Sequence, residues 1–186
     1  MKLVEISGRV FPAGLVIFPL AYVLGDVLTE VYGFRAARRV ILLGFGCNLL
    51  AVGAIQIAIS LPAAGFWAEN QQAYEDVLGT TWRIFAASLA AYVVGELVNA
   101  YVLARMKVAT RGRYLWSRTI GSTIVGEGLD SAIFVTIAFA GTGTDLLNPI
   151  LTTWAIKVAW ETAATPLTYA IVNYLKRRDG VDAYLD

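Results

Sequence analysis

Apolar residues fill five stretches of the chain, about 10–32, 38–62, 82–104, 115–140 and 149–175, separated by polar links. Each has the roughly 20 residues that a helix needs to cross about 30 Å of hydrocarbon, so the pattern predicts five membrane-spanning helices in one all-α bundle. The fourth stretch, RTIGSTIVGEGLDSAIFVTIAF, carries Thr119, Thr123, Glu127, Asp130 and Phe134 at i, i+4, i+8, i+11 and i+15, a single stripe on an otherwise apolar helix. A carboxylate near the bilayer centre costs roughly 2.5–3.5 kcal/mol, so this stripe is expected to face protein or a cavity.

The other stretches repeat the theme. In the first, Pro19 predicts a kink or break, and Tyr22, Asp26 and Glu30 follow at i, i+4 and i+8. Arg35 and Arg38 are close enough in sequence to pair with Glu30, whereas Asp26 lies deeper. The second stretch sets Gly44, Cys47, Ala51, Ala54 and Ala58 on one face, which reads as a helix-packing surface. The third has a small-residue face, Ala87, Ala91 and Gly95, and a polar one, Tyr92, Glu96 and Asn99. The fifth opens on Asn148-Pro149, a cap and first-turn proline. It then places Lys157 and Glu161 at i, i+4, as an intrahelical ion pair or as part of a site, and is expected to be interrupted at Pro166.

At about 1.5 Å per residue, Asp26 and Glu96 come to lie roughly 21 Å from one surface, Glu161 roughly 18 Å from the same surface and Glu127 roughly 16 Å from the other. Four helices thus bring a carboxylate to one level, which predicts a shared central site. A short echo marks these positions: LGDVLTEVY at 24–32, VGELVNAY at 94–101 and VGEGLDSA at 125–132 each read apolar, Gly, acid. Repeat-built transporters place their sites at such matching Gly-interrupted points. Six acids (Asp26, Glu30, Glu96, Glu127, Asp130, Glu161) then share the membrane with a single base, Lys157, so some are expected to be protonated or to meet a donor-rich or cationic ligand.

Composition agrees with a polytopic membrane protein of one domain, residues 1–186: 58% of the residues are hydrophobic and 16% charged, and mean hydropathy is +0.62. The net charge is +1 and the basic residues form no face, which argues against nucleic acid. The chain has no histidine, so Ser-His and Cys-His catalysis and His-built metal sites are excluded. The single cysteine, Cys47, excludes a disulfide framework and reads as a small packing residue. No metal or cofactor is expected. Arg and Lys gather in the links 33–39 and 105–114 and after the last stretch, while the links 63–81 and 141–148 have none. The positive-inside rule therefore places the first three, with the C-terminus, in the cytoplasm. Trp82 and Trp116 would then mark opposite interfaces. Residue 1 falls outside, MKLVEISGRV is neither a signal peptide nor a helix, and a helix preceding residue 1 is expected to be missing from the chain.

The runs FPLAYVLGDVLTEVYGFRAARR, RTIGSTIVGEGLDSAIFVTIAF and IKVAWETAATPLTYAIVNYLKRR, in this order and with the match extending over essentially the whole chain, resemble the queuosine precursor transporter family of the vitamin-uptake transporter group. The resemblance implies a bundle of about six helices, one more than the five stretches here, in the prokaryotic inner membrane. It implies import of 7-cyano-7-deazaguanine and 7-aminomethyl-7-deazaguanine. The expected partners are this base, the bilayer and, as an open option, a second copy in a homodimer.

A guanine-like edge offers N1–H and an NH2 side by side, which one carboxylate accepts in a two-point hydrogen bond, and its flat face favours aromatic stacking. Glu127, between Gly126 and Gly128, is the expected reader of that edge, because the missing side chains leave room for a flat ligand. Asp130 or a further carboxylate among Asp26, Glu96 and Glu161 would meet the aminomethyl cation, and Lys157 would donate to the base carbonyl. Tyr22 and Trp160, with Tyr92, Phe134 and Trp154, are candidate stacking partners. Three alternatives stay open. One is the binding subunit of an ATP-driven uptake complex, since no GxxxxGK[ST] loop occurs in this chain. The others are an intramembrane enzyme using paired carboxylates such as Asp26 and Glu127, and a structural scaffold.

Overall fold

The computed structural model describes residues 3–6, 9–12, 18–79, 82–141, 143 and 146–184. The helices are α1 (Phe18–Tyr32), α2 (Phe34–Ser60), α3 (Gln71–Leu78), α4 (Trp82–Ala109), α5 (Leu115–Phe139) and α6 (Leu147–Asp179), with a 3-10 turn over Gly65–Asn70 before α3. The helical bundle expected from the apolar stretches is present. Ahead of it, β1 (Leu3–Ile6) and β2 (Arg9–Pro12) pair antiparallel, Leu3 opposite Pro12 and Ile6 opposite Arg9.

Among the described residues, three segments are long and apolar enough to cross a membrane: Phe34–Ser60, the part of 65–109 that contains α4, and Leu115–Phe139. The first stretch is shorter as a helix than its hydropathy predicted. Residues 10–12 belong to β2, and α1 has 15 residues, with Pro19 in its first turn; at 1.5 Å per residue it is about 22 Å long. α6 has length to spare at 33 residues, but Lys157 and Glu161 occupy its middle. Contrary to expectation, α6 runs unbroken through Pro166. The hydroxyls of Thr162, Thr165 and Thr168 bond back to the carbonyls of Val158, Glu161 and Ala164, surrounding the proline with the local polar support that lets membrane helices tolerate it.

α4 and α5 form the central antiparallel hairpin and share the most extensive contact in the molecule. Small residues set its closeness. A methyl added at Gly95 would lie 2.8 Å from Asp130 Cβ, and one at Gly126 would lie 2.7 Å from Asn99 Cβ and 2.9 Å from the Gly95 carbonyl oxygen. The predicted face Ala87, Ala91 and Gly95 is therefore a true helix contact. At the open end of the hairpin, Arg83 donates to the carbonyls of Ile137 and Ala140, capping the last turn of α5 with a cation. Trp82 and Trp116 sit exposed at opposite ends of the hairpin.

α5 turns its polar stripe inward. Thr119, Ser122, Thr123, Glu127 and Ser131 are buried, whereas Ile124, Val125, Leu129 and Ile137 are exposed. α6 buries Lys157, Glu161, Thr165, Thr168 and Val172, the same i, i+4, i+8, i+11, i+15 spacing, facing the other way. α1 packs against α6, α4 and α2, and its Val23, Val27 and Val31 form an apolar cluster with Val172 of α6 and Leu115 at the start of α5. One residue, Gly33, joins α1 to α2; its φ of 85° is open to glycine at little cost.

α2 is held mainly at its start, where Ala37 and Ile41 cluster with Ala100. The packing face read from Gly44, Cys47, Ala51, Ala54 and Ala58 is not used that way. Gly44 faces the Tyr92 hydroxyl, but Cys47, Ala51, Ala54 and Ala58 are exposed, because among the described residues no long helix covers α2 beyond its first turns and its end meets only the short α3 region. Asp145, the acid of the fourth link, lies outside the described residues.

Gly95→Ala and Gly126→Ala are each expected to lower stability in detergent by about 1–3 kcal/mol through overpacking of the α4–α5 contact. Gly46→Ala and Gly53→Ala, where an added methyl meets nothing within 4 Å, serve as controls that leave stability unchanged or raise it. Thermal unfolding of the four variants decides.

Candidate functional site

Buried charge falls into two layers. The first lies where α4 turns into α5. Glu30, fully buried on α1, receives a two-pronged hydrogen bond from Arg118, Nε to Oε2 at 2.7 Å and Nη2 to Oε1 at 2.8 Å. Lys176 Nζ stands 2.6 Å and Lys107 Nζ 3.6 Å from Glu30 Oε1. Arg118 also donates to the carbonyls of Gly112 and Arg113, holding the α4–α5 turn. Beyond α6, residues 180–184 fold back over this layer. Asp182 binds Lys107 and Lys176, the Ala183 amide donates to the Val31 carbonyl, and Lys107 Nζ lies 4.6 Å from the Tyr184 ring centre.

This layer corrects two expectations. Glu30 pairs with Arg118, Lys176 and Lys107, not with Arg35 and Arg38, which lie exposed on the first turns of α2. Lys157 is not the single base at depth, since Lys107 and Arg118 are both buried. Glu30 thus leaves the tally of uncompensated acids.

The second layer lies deeper and gathers Asp26, Glu96, Glu127, Asp130, Lys157 and Glu161 from four helices. Lys157 Nζ is 2.6 Å from Glu127 Oε2 and also pairs with Asp130. The pair expected for Lys157 is thus made, across to α5. Asp26 accepts a hydrogen bond of 2.9 Å from Asn99 Nδ2 and lies within electrostatic range of Glu161 and Glu96. Glu96 in turn feels Asp130, Lys157 and Glu161.

The three Gly-acid echoes converge here. Gly95 and Gly126 form the α4–α5 crossing, and a methyl on Gly25 would lie 3.5 Å from Glu96 Oε2. At Gly95 and Gly126 the glycine lets two helices close together, at Gly25 the contact is an ordinary one, and at all three the neighbouring acid enters the shared layer. The space expected beside Gly126 is accordingly filled by Asn99 and the Gly95 backbone, and Gly128 faces the Trp154 indole.

Open space lies instead between α1, α2 and α4. A cavity of about 450 Å³ is lined by Leu24, Gly25, Leu28, Thr29 and Ala37, by Val40 and Ile41, and by Tyr92, Glu96, Asn99 and Ala100. The polar face Tyr92, Glu96 and Asn99 read from the sequence is its polar wall. A cavity of this size, mostly apolar with a few convergent polar groups, has the character of a small-molecule site. Of the candidate stackers, Tyr22 is buried one turn before Asp26, whereas Trp160 is 44% exposed. Trp154 donates to the Ile124 carbonyl, and Phe134 packs edge-on against Phe139.

Residues 12–171 match the family model described as “Putative vitamin uptake transporter”. The chain belongs to this vitamin uptake transporter family. It is 31% identical over 91% of its length to the “Probable queuosine precursor transporter” of Bacillus subtilis (strain 168), covering 75% of that protein. It is 27% identical over 68% of its length to the protein of the same name in Haemophilus influenzae, and 28% identical over 66% to the “Queuosine precursor transporter” of Escherichia coli (strain K12). Those matches span about half of each relative, 51% and 52%. No solved structure matches the chain. Family membership and the apolar helices together make this a multi-pass membrane protein.

Within this family member the sequence reading missed Arg118, Lys107 and Lys176. Arg118 opens the stripe-bearing run and could have been found by asking what neutralises Glu30, but the partners come from three helices distant in sequence, and no spacing rule joins them.

Lys157→Met should leave Glu127 and Asp130 without their buried cation, costing about 3–5 kcal/mol of stability, whereas Arg39→Met, on an exposed turn of α2, should cost little. Thermal unfolding in one detergent compares them. A second expectation concerns pH. Burial acts to raise the Asp182 carboxyl, but its bonds to Lys107 and Lys176 outweigh this and hold it below the usual carboxylate range. A depressed value stabilises the docked form above the ordinary aspartate value of about 3.9 and loses that contribution as pH falls toward the folded value. Hydrogen exchange at the Ala183 amide should therefore rise relative to the helices as pH is lowered through this range, and Asp182→Asn should show the raised exchange already at neutral pH.

Proposed function

We propose that the chain imports 7-deazaguanine precursors of queuosine, 7-cyano-7-deazaguanine and 7-aminomethyl-7-deazaguanine, across the prokaryotic inner membrane. The observation that carries this reading is the cavity between α1, α2 and α4, whose apolar walls end on Tyr92, Glu96 and Asn99 beside the acidic layer. The names of the relatives support the substrate class.

In this reading the base stacks its flat face in the apolar part of the cavity, next to Tyr92. Its paired N1–H and NH2 donors meet Glu96, the carboxylate on the cavity wall. Glu127, held by Lys157 and packed behind the Gly95–Gly126 crossing, is the less direct partner; with Asp130, Asp26, Glu161 and Lys157 it sets the charge of the site. This moves the favoured reader from Glu127 to Glu96, because the free space lies on the α4 side. Orientation follows the basic links: 33–39, 105–114 and the C-terminus in the cytoplasm, 63–81 outside.

Binding of the neutral 7-cyano base to Glu96→Gln should be weaker by about 5- to 150-fold, since a donor at this half-buried position would then face the donors of the base beneath the bound ligand, a mismatch of about 1–3 kcal/mol. Glu69→Gln, in the exposed link, should bind like the parent. A Glu127→Gln loss larger than that of Glu96→Gln would return the reading role to Glu127, and no binding of either base by the parent protein would end the proposal. Topology is checked by introducing Gln72→Cys in a Cys47→Ala background. An impermeant thiol reagent should label it in intact cells, and protection there would invert the assigned orientation.

A further inference from the structure

Asp26 and Glu161 are 0% and 2% exposed. Asp26 Oδ2 and both carboxyl oxygens of Glu161 are buried with no protein donor aimed at them, the Asn99 amide being spent on Asp26 Oδ1. The two side chains come from α1 and α6 and lie within interaction range of each other. The charged groups around them are few. α4 contributes Glu96 and α5 contributes Glu127 and Asp130, all acidic. α6 contributes Lys157, already paired with Glu127 and Asp130. α2 offers only Ala37, Val40 and Ile41 to the adjoining cavity. Glu30, one turn along α1 from Asp26, is bound by Arg118 and Lys176 and lends no positive charge.

Two carboxylates buried within interaction range of each other resist ionising together; such groups titrate as a pair, with one proton held between them. The orphaned oxygens fit this arrangement, because a proton on either acid makes it the donor that the other lacks. We infer that Asp26 and Glu161 form a proton-binding site that is occupied in the empty protein and gives up its proton when a cationic ligand enters the cavity beside Glu96. Glu96 and Asn99 connect the two places. Both line the cavity, Asn99 holds Asp26, and Glu96 lies within electrostatic range of both acids. A cation arriving at Glu96 stabilises negative charge on the pair; the proton leaves to solvent and the net charge of the site is unchanged. A neutral ligand makes no such demand.

The identity of the cation rests on the transport reading above, but the occupied proton site does not, so two measurements separate them. Infrared spectra of the empty protein at neutral pH should contain a protonated-carboxyl carbonyl band, shifted in D2O and altered in both Asp26→Asn and Glu161→Gln. Absence of the band, or a band untouched by both substitutions, overturns the inference whether or not any base binds. In weakly buffered solution with an indicator dye, 7-aminomethyl-7-deazaguanine should release about one proton per bound base and the 7-cyano base none. Equal release by both bases, or none by the cationic one when it binds, overturns the exchange. If the band is present and neither base binds, the proton site stands and the substrate assignment falls. The parent protein alone supplies the band and the release, so failure of a variant to fold leaves the inference open to refutation.

Discussion

Glu30 has to be neutralised, and the way this is done ties the bundle together. A fully buried carboxylate without a partner is too costly to persist in a low dielectric. Its partners come from α5 through Arg118, from α4 through Lys107 and from α6 through Lys176, while Asp182 beyond α6 closes over the two lysines. Each helix supplies one charge, and none can withdraw without leaving the others bare. Arg118 adds the carbonyls of the α4–α5 turn to the same fork, so the hairpin geometry and the ion cluster support each other.

The deeper layer obeys the opposite rule. It holds five acids against one lysine, and the lysine is committed to Glu127 and Asp130. A purely structural layer would gain from being replaced by hydrophobic side chains. Its under-neutralised state is what suits it to a ligand rich in donors or carrying positive charge. The two layers lie on the same helices, so the satisfied one serves as a rigid base for the unsatisfied one.

Glycine decides where the acids meet. At Gly95 and Gly126 the α4 and α5 backbones approach until an added methyl would clash. Close approach of this kind supplies packing that the lipid environment cannot drive by hydrophobicity. It also brings the neighbouring carboxylates to one level. The cost is that the crossing fills the space beside Glu127 and leaves the cavity on the other side of α4.

Hydropathy alone determined the bundle, since no water is available within the bilayer to satisfy open backbone, although it placed the start of the first helix too early, over residues that belong to β2. Helical periodicity alone determined that Thr119, Thr123 and Glu127 face inward, because a carboxylate facing lipid is too costly. The polar wall Tyr92, Glu96 and Asn99 was likewise visible in the spacing of α4. The pairing of Glu30 with Arg118, the placement of Lys107 and Lys176 around it, the reach of Lys157 to α5 and the side of α4 on which the cavity opens were decided only by tertiary structure. These depend on how helices distant in sequence are rotated and how closely they cross, quantities that local spacing does not contain. Pro166 and the exposed face of α2 show the same limit: a breaker is tolerated where neighbouring hydroxyls serve the backbone, and a small-residue stripe packs only where another helix arrives to meet it.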